Sequence, residues 1–389
     1  MTSRRDILQW GVRAGALLAL FGGQGGASLA QRKSSVPRLA GYELLDIVPF
    51  VGEGRNFVGN AEGEGPSRRL ALDTSTLTTQ KLITPNEEFF VRTGYPKQLE
   101  KRKSWHVAVQ GLVHESRTFP LSELASMSEP LGVHLLECAG STRSSYFGLM
   151  SAADWKGVPL TRLLDKVASR PEATRVLVSG VDPGVDLNSG PDPEAGWIFT
   201  LEELALAGAA LALEMNDVPL AKDHGAPIRL IVPGWYGCVW IKWVDKIVLV
   251  DDACEATPQM LEYATRTQQV GVPRLARDFR PATIEPSAMA VRVEKWSHDG
   301  AIFYRVVGIL WGGDRLIPAL EIGFGPEPGL DPVEHFRHET YDTWTLWSHT
   351  WRPVKAGRYR IRLVIDEPDI RSWRMAVGYY DRSVEIDEV

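Results

Sequence analysis

Apolar and polar side chains alternate over the last third of the chain. Between residues 358 and 365, apolar positions alternate with mostly basic ones, which predicts a strand with one buried face. Further strands are predicted at 291–293, 303–310 and 317–322, with turns at 297–300, 312–313 and 355–357. About a hundred residues of short strands with several tryptophans predict an all-β, immunoglobulin-like sandwich over residues 285–389.

The pattern before residue 275 is mixed. Period-two runs at 106–109 and 175–178 predict strands, whereas the patterns at 159–167 and 201–212 predict amphipathic or buried helices. We therefore predict an α+β domain over residues 40–275. Prolines 273, 281 and 286 then make a rigid connector, so the chain divides near residues 275–288.

The first thirty residues have the features of an export signal. Arg4 and Arg5 precede an apolar stretch at 11–23, and Ser28-Leu29-Ala30 offers a small-x-small cleavage site. The apolar run is shorter than the ~20 residues that span a bilayer. We predict a twin-arginine signal peptide over residues 1–30, a periplasmic location and no stable membrane anchor. An uncleaved signal that acts as an anchor stays open as the alternative.

The composition of the chain bears on its partners, its core and its cysteine chemistry. The 389 residues carry a net charge of -6, which argues against nucleic acid or an anionic membrane as a partner. With 44% hydrophobic residues, the chain has ample material for a core. Three cysteines in this length do not make a disulfide framework, and no C-x-x-C-H segment is present to attach haem.

Cys138 is the cysteine placed where a strand would pass into a loop. It follows the apolar run His134-Leu135-Leu136-Glu137 and precedes Ala139-Gly140-Ser141. A thiolate in such a place can act as a soft metal ligand or as a nucleophile. The alternative is an inert, buried thiol that serves as a small hydrophobic residue.

Other segments in the same order along the chain resemble a known family. These are Asn86-Glu87-Glu88-Phe89-Phe90-Val91-Arg92, Glu137-Cys138-Ala139-Gly140, Trp155-Lys156-Gly157, Asp223-His224-Gly225 through Gly237, and Ile241-Lys242-Trp243. Together they resemble the molybdopterin-binding fold of the sulfite oxidase family over about residues 75–255. The resemblance implies that the 40–275 domain is catalytic, that molybdenum and molybdopterin are its cofactors, and that residues 285–389 form a dimerisation domain.

The resemblance also assigns roles to residues. It implies that Cys138 is the metal ligand and that the cofactor is bound by Asn86, Phe89, Phe90, Cys138, His224, Arg229 and Lys242. Catalytic roles are expected for Arg92, Cys138 and Arg143, and for Tyr236 as a substitute for the family's pocket tyrosine, which has no counterpart here. The two arginines suit an oxyanion because a guanidinium donates paired hydrogen bonds. A structural role for His224 stays open, as do Tyr95 and Tyr146 in the place of Tyr236.

The function implied is oxidation of a small sulfur oxyanion, such as sulfite, with electrons passed to an external cytochrome c. Thr93-Gly94 stands where the family has Asn-His, and Asp251-Asp252 stands where it has a pocket tyrosine. The substrate therefore stays open between sulfite, a sulfane and a sulfoxide in the reductive direction. A cofactor-free scaffold or adhesion protein is the alternative from another class, and a homodimer is implied by the C-terminal domain.

Overall fold

The computed structural model describes residues 33, 36–37, 40–53, 68–181, 195–326 and 328–389. The signal peptide predicted over residues 1–30 lies outside the described residues, so it stays a prediction. In the described ranges, every helix is too short or too polar to cross a bilayer.

The fold is dominated by strands. These are β1 Glu43–Val48, β2 His106–Gly111, β3 Arg117–Pro120, β4 Glu129–Glu137, β5 Met150–Pro159, β6 Arg175–Gly180, β7 Ala195–Thr200, β8 Ala210–Met215, β9 Val218–Pro219, β10 Arg229–Ile231, β11 Val244–Val250, β12 Ser287–His298, β13 Ala301–Trp311, β14 Glu321–Gly325, β15 Asp331–Pro332, β16 Thr345–Trp351, β17 Gly357–Val364 and β18 Arg382–Ile386. The α-helices are α1 Leu121–Ser126, α2 Leu160–Leu164, α3 Leu201–Leu206, α4 Pro258–Tyr263 and α5 Trp373–Ala376.

Two sheets form the first part of the chain. One has the order β3-β2-β11-β6-β7, and the other has β10-β8-β5-β4 with β9 paired to β8. The strands predicted at 106–109 and 175–178 are confirmed as β2 and β6, and both pair with β11. Short helices connect the strands, so the predicted α+β character of this part is also confirmed.

The helix predicted over 201–212 is only half right. α3 begins with a capping box between Thr200 and Glu203 and ends after one and a half turns. Gly208 has a φ of 63°, and the apolar run that follows it is the buried strand β8. A short continuous apolar run is compatible with a strand buried on both faces as well as with a buried helix. Here the segment forms a strand, because it pairs with β5 and β10.

Two four-stranded antiparallel sheets form the C-terminal part, with orders β1-β12-β13-β16 and β15-β14-β17-β18. Their inner faces meet: Phe324 of β14 stacks on Trp351 of β16 with ring centroids 4.2 Å apart. Trp311, Trp344 and Trp347 are buried, whereas Trp373 is 57% exposed. The period-two pattern of β17 is also confirmed, because Tyr359, Ile361 and Leu363 are buried and the arginines between them are exposed.

One predicted strand of this part begins late. The prediction covered 317–322, but β14 begins at Glu321. Pro318 has no N–H to donate to a neighbouring strand. The N–H of Ile317 donates to the His338 ring instead (N to Nδ1, 2.7 Å). These two residues therefore lie in a loop before the strand.

The strand β1 crosses the predicted domain boundary. Although residues 43–48 fall in the range 40–275, β1 pairs with β12 of the C-terminal part. Without β1, β12 would be an edge strand with unpaired backbone groups, and the added strand covers that edge. The N-terminal segment is thus part of the C-terminal sheet.

Candidate functional site

A cavity of about 270 Å³ opens between the end of β4, the segments that flank β10 and β11, and helix α4. Its wall includes an aromatic ring, a thiol and four basic side chains from segments far apart in sequence: Phe90, Arg92, Cys138, His224, Arg229 and Lys242. Trp240, Ile241 and Val181 supply apolar wall. The fold thus brings together soft-ligand and anion-binding chemistry in one place.

Cys138 is held where β4 ends. Its backbone N–H donates to the Leu149 carbonyl (2.9 Å), and its own carbonyl accepts from the Ser141 N–H (2.8 Å). The Gly140 N–H points at the sulfur, with N and Sγ 3.4 Å apart. Burial raises the pKa of the Cys138 thiol, while the Gly140 N–H and the charge of Arg92 oppose that rise. A metal that binds here would displace the thiol proton.

Arg92 reaches the cavity from a short pairing of two segments. The backbone of Val91 exchanges two hydrogen bonds with Leu70, N to O 2.8 and 2.9 Å, and so fixes the residue that follows it. Arg69 lies close enough for its charge to act on Arg92 and Cys138. Burial first, and Arg92 second, lower the pKa of Arg69. Arg92 therefore lines the thiol region of the site, and the charge of Arg69 acts on it from outside the cavity lining.

A second group of basic side chains surrounds the start of β10. Arg229 pairs with Lys242 across a single antiparallel bridge, and His224 lies in the turn just before. Gly225 has a φ of 106°, and a Cβ there would lie 3.0 Å from Arg229 Cβ and 3.1 Å from Lys242 Cγ. Only glycine lets the backbone pass this close to the two basic side chains.

Burial and mutual repulsion lower the pKa values of the second basic group. Burial lowers the pKa of Arg229 to about 9 and, together with the Arg229 and Lys242 charges, that of His224 to about 4. Burial and the Arg229 charge also lower the pKa of Lys242 well below its ordinary value. The neighbouring acid, Asp223, already accepts hydrogen bonds from Arg68 and from the Tyr95 N–H. A bound anion would stabilise the charged forms of all three basic residues.

The residues fit a cofactor that carries a thiophilic metal and a phosphate. Cys138 supplies a sulfur ligand, and His224, Arg229 and Lys242 supply donors and positive charge for an anion. Among the described residues, the buried Arg229 Nε has no hydrogen-bond partner, so this guanidinium keeps one donor unused. The described ranges hold no cluster of three or more His, Cys, Asp or Glu residues with metal-binding geometry.

Two predicted cofactor ligands lie one layer behind the cavity. The His224 Nε2–H donates to the Asn86 carbonyl (3.1 Å), and the Phe89 ring packs edge-on against the imidazole at 5.3 Å. The Asn86 side chain bonds Met215 and Asn216 rather than facing the cavity. In this structure both residues orient His224 instead of lining the cavity.

Two predicted catalytic residues also lie elsewhere. Arg143 is exposed in a turn, and its Nη2 donates to the Asp381 carbonyl at 2.6 Å. Tyr236 is buried behind the loop of Cys138, with its ring 4.7 Å from the Arg374 guanidinium carbon. Neither residue is in the cavity lining, because each side chain is directed toward the C-terminal sheets. Their catalytic roles therefore stay predictions that this cavity does not support.

Several cavity residues carry no sequence signal that would have identified them. Cys238, Gln259, Glu262 and Tyr263 line the wall, the last three on α4. Arg69 acts on the same site through its charge. α4 follows the strand β11 and its site-facing side depends on tertiary packing, so no local pattern points to it. An aligned set of relatives would be the signal able to reveal these positions.

Comparisons with known proteins show what the chain is similar to. Residues 93–257 match the family described as oxidoreductase molybdopterin binding domain. The chain is 28% identical over 327 residues to the mitochondrial sulfite oxidase of Drosophila melanogaster, covering 77% of this chain and 55% of that protein. It is 28% identical over 312 residues to the sulfite oxidase of Gallus gallus, covering 72% and 65%. The chain thus spans between half and two thirds of the length of these curated relatives.

A solved structure has a similar fold. The sulfane dehydrogenase SoxCD from Paracoccus pantotrophus superposes with a TM-score of 0.62 at 16% identity, covering 84% of this chain and 88% of that chain. At this identity the likeness concerns the fold alone.

Proposed function

We propose that this chain, a molybdopterin oxidoreductase similar to sulfite oxidases and with molybdenum and molybdopterin as its cofactors, oxidises a small sulfur oxyanion. The observation that carries the proposal is that the Cys138 thiol and the Arg92 guanidinium line one cavity, with the charge of Arg69 close by. The thiol suits the metal, and the guanidinium suits the negative oxygens of the substrate.

Each part of the cavity has a task in this proposal. His224, Arg229 and Lys242 hold the phosphate of the cofactor, and Cys138 supplies a sulfur to its metal. When bound, the cofactor supplies two-electron redox chemistry coupled to transfer of an oxygen atom. Arg92 orients the substrate through charge-assisted hydrogen bonds. The apolar wall of Trp240 and Ile241 limits water around these bonds, which strengthens them.

The proposed reaction balances with an external acceptor. Sulfite and one water give sulfate, two protons and two electrons. We propose that the two electrons pass to a separate cytochrome c.

Replacing Arg92 tests the substrate assignment. Each charge-assisted hydrogen bond contributes roughly 1.5–3 kcal/mol, so Arg92→Gln should raise the KM for sulfite by at least ~10-fold. Arg92→Lys should recover only part of this loss, because an ammonium cannot reproduce the paired donors of a guanidinium. Steady-state reduction of cytochrome c or ferricyanide by the molybdenum-loaded enzyme measures both variants.

Arg143→Gln is the matched control for that experiment. Since the Arg143 side chain is directed to Asp381, its KM for sulfite should stay within about twofold of the wild type. A KM that rises in Arg143→Gln and not in Arg92→Gln would reverse the assignment of the two arginines.

One substrate panel distinguishes sulfite oxidation from the two alternatives, sulfane oxidation and sulfoxide reduction. Loaded enzyme is assayed with sulfite, thiosulfate and a protein-bound sulfane as reductants, and with sulfoxides against a reduced dye. Turnover of sulfane alone would make the protein a sulfane dehydrogenase. Rapid sulfoxide reduction without oxidation of any sulfur species would reverse the proposed direction.

We also propose that the protein is exported to the periplasm by the twin-arginine pathway. The basis is the Arg4-Arg5 pair before the apolar stretch. Because that pathway carries folded proteins, replacing both arginines by lysine should leave folded, loaded enzyme in the cytoplasm. Cell fractionation and N-terminal sequencing measure this, with a mature chain expected to begin near Gln31. Undiminished periplasmic protein in the double variant would mean that another route exports it.

For the C-terminal part we propose an immunoglobulin-like sandwich that serves as the dimerisation domain. Support comes from its two facing antiparallel sheets. The cofactor-free scaffold is the weaker alternative, because a protein without an anionic ligand would gain nothing from placing the buried Arg229 beside the half-buried Lys242.

A further inference from the structure

A buried carboxylate lies directly before the thiol. Glu137 ends β4, is fully buried, and accepts three hydrogen bonds from the C-terminal part of the chain. Trp311 Nε1 donates to Oε2 at 2.8 Å, and the Tyr380 hydroxyl and Arg374 Nη1 lie 3.2 and 3.3 Å from Oε1. The residue next to Cys138 is therefore fixed by groups from another part of the fold.

Arg374 also contacts the residue that follows Cys138. Arg374 lies in α5, is 4% exposed, and its Nη2 donates to the Ala139 carbonyl at 3.0 Å. One guanidinium thus contacts the residue before Cys138 and the residue after it. Nearby, the Tyr379 hydroxyl donates to the Ser141 carbonyl at 2.8 Å, which fixes the end of the same loop.

Arg374 and Glu137 form a salt bridge that is closed to solvent. Nη1 of Arg374 lies 3.3 Å from Oε1 of Glu137, and the two side chains are 5% and 0% exposed. A paired, hydrogen-bonded ion of this kind is rigid, since any movement leaves a buried charge without its partner.

We propose that Arg374 is a positioning residue that sets the orientation of the Cys138 sulfur toward the metal. Its guanidinium fork holds Glu137 and Ala139 at once, so the C-terminal sheets complete the metal site although they contribute no residue to the cavity lining given above. The inference rests on the proposed function, in which Cys138 binds molybdenum. Residues that orient a metal ligand typically change metal affinity or activity ~10–100-fold when replaced.

Arg374→Gln and Arg374→Lys test the proposal in the loaded full-length enzyme. The readouts are the EPR spectrum of molybdenum(V), the visible absorption per molybdenum, kcat and KM. Arg374→Gln should shift both spectra and lower kcat by at least ~10-fold with KM changed less than about twofold. Arg374→Lys should show a smaller shift, because one ammonium can hold Glu137 but not also reproduce the paired geometry.

Arg382→Gln is the matched control. Arg382 is as buried as Arg374. It pairs with the Glu53 carboxylate and donates to the Ala290 carbonyl (Nη1 to O, 2.8 Å), and its side chain makes no hydrogen bond to residues 137–141 around Cys138. This variant should lower the melting temperature and leave the molybdenum spectra unchanged. Wild-type spectra and kcat in folded Arg374→Gln would overturn the proposal. If that variant does not fold, wild-type spectra in Arg374→Lys overturn it instead.

The experiment separates two failures. A wild-type protein without molybdenum would remove the proposed function, whereas a loaded wild type with unperturbed Arg374 variants would remove only the positioning role.

Discussion

Cys138→Ser should abolish turnover and the thiolate-to-metal absorption while the pterin stays largely bound. The sulfur that the protein offers the metal comes from one atom, whereas we expect several other residues of the cavity, among them His224, Arg229 and Lys242, to hold the pterin. Serine preserves the size of the side chain, so the Cys138 loop should keep its hydrogen bonds to Leu149 and Ser141. The visible spectrum, pterin fluorescence after release and steady-state rate measure the three quantities.

Cys238→Ser is the control for the first experiment, because Cys238 is a second buried thiol in the same cavity. It should keep the thiolate-to-metal absorption. If the band disappears in Cys238→Ser and persists in Cys138→Ser, the metal ligand has been assigned to the wrong cysteine.

The second large effect is expected where the phosphate binds. Arg229→Met and Lys242→Met should each weaken cofactor retention by roughly 10- to 100-fold, because each removes a charge-assisted hydrogen bond of about 1.5–3 kcal/mol. Methionine keeps the apolar volume in a buried site, so the surrounding packing should persist. Molybdenum and pterin content after gel filtration and dialysis measures the loss.

Lys295→Met is the matched control for the phosphate site. Lys295 is also mostly shielded from solvent, but its ion pairs with Asp387 and Glu388 lie in the C-terminal part. Cofactor content in this variant should equal that of the wild type. Full retention of pterin in both Arg229→Met and Lys242→Met would show that the phosphate lies elsewhere.

The sequence was informative about segments whose role is set locally. Arg92, Cys138, His224, Arg229 and Lys242 each stand in a short motif that fixes the backbone around it, and all five line the cavity. Strands such as β2, β6 and β17 were predicted because their alternation is visible within a few residues.

Features that depend on distant contacts were not predicted. Arg143 stands three residues beyond Gly140 in sequence, yet a hydrogen bond to Asp381 directs it away from the cavity. β1 joins the C-terminal sheet through pairing across more than two hundred residues. Arg374 has no motif around it, and its contact with the Cys138 loop exists only because the two parts of the chain pack together.

The central claim is that this chain holds molybdenum and a pterin in the cavity of Cys138. The most direct measurement is the molybdenum and pterin content of wild-type protein purified from a host that makes the cofactor. We expect one molybdenum and one pterin per chain, together with a visible thiolate-to-metal absorption. Folded protein that contains neither, from cells in which a sulfite oxidase produced in parallel is fully loaded, would contradict the claim.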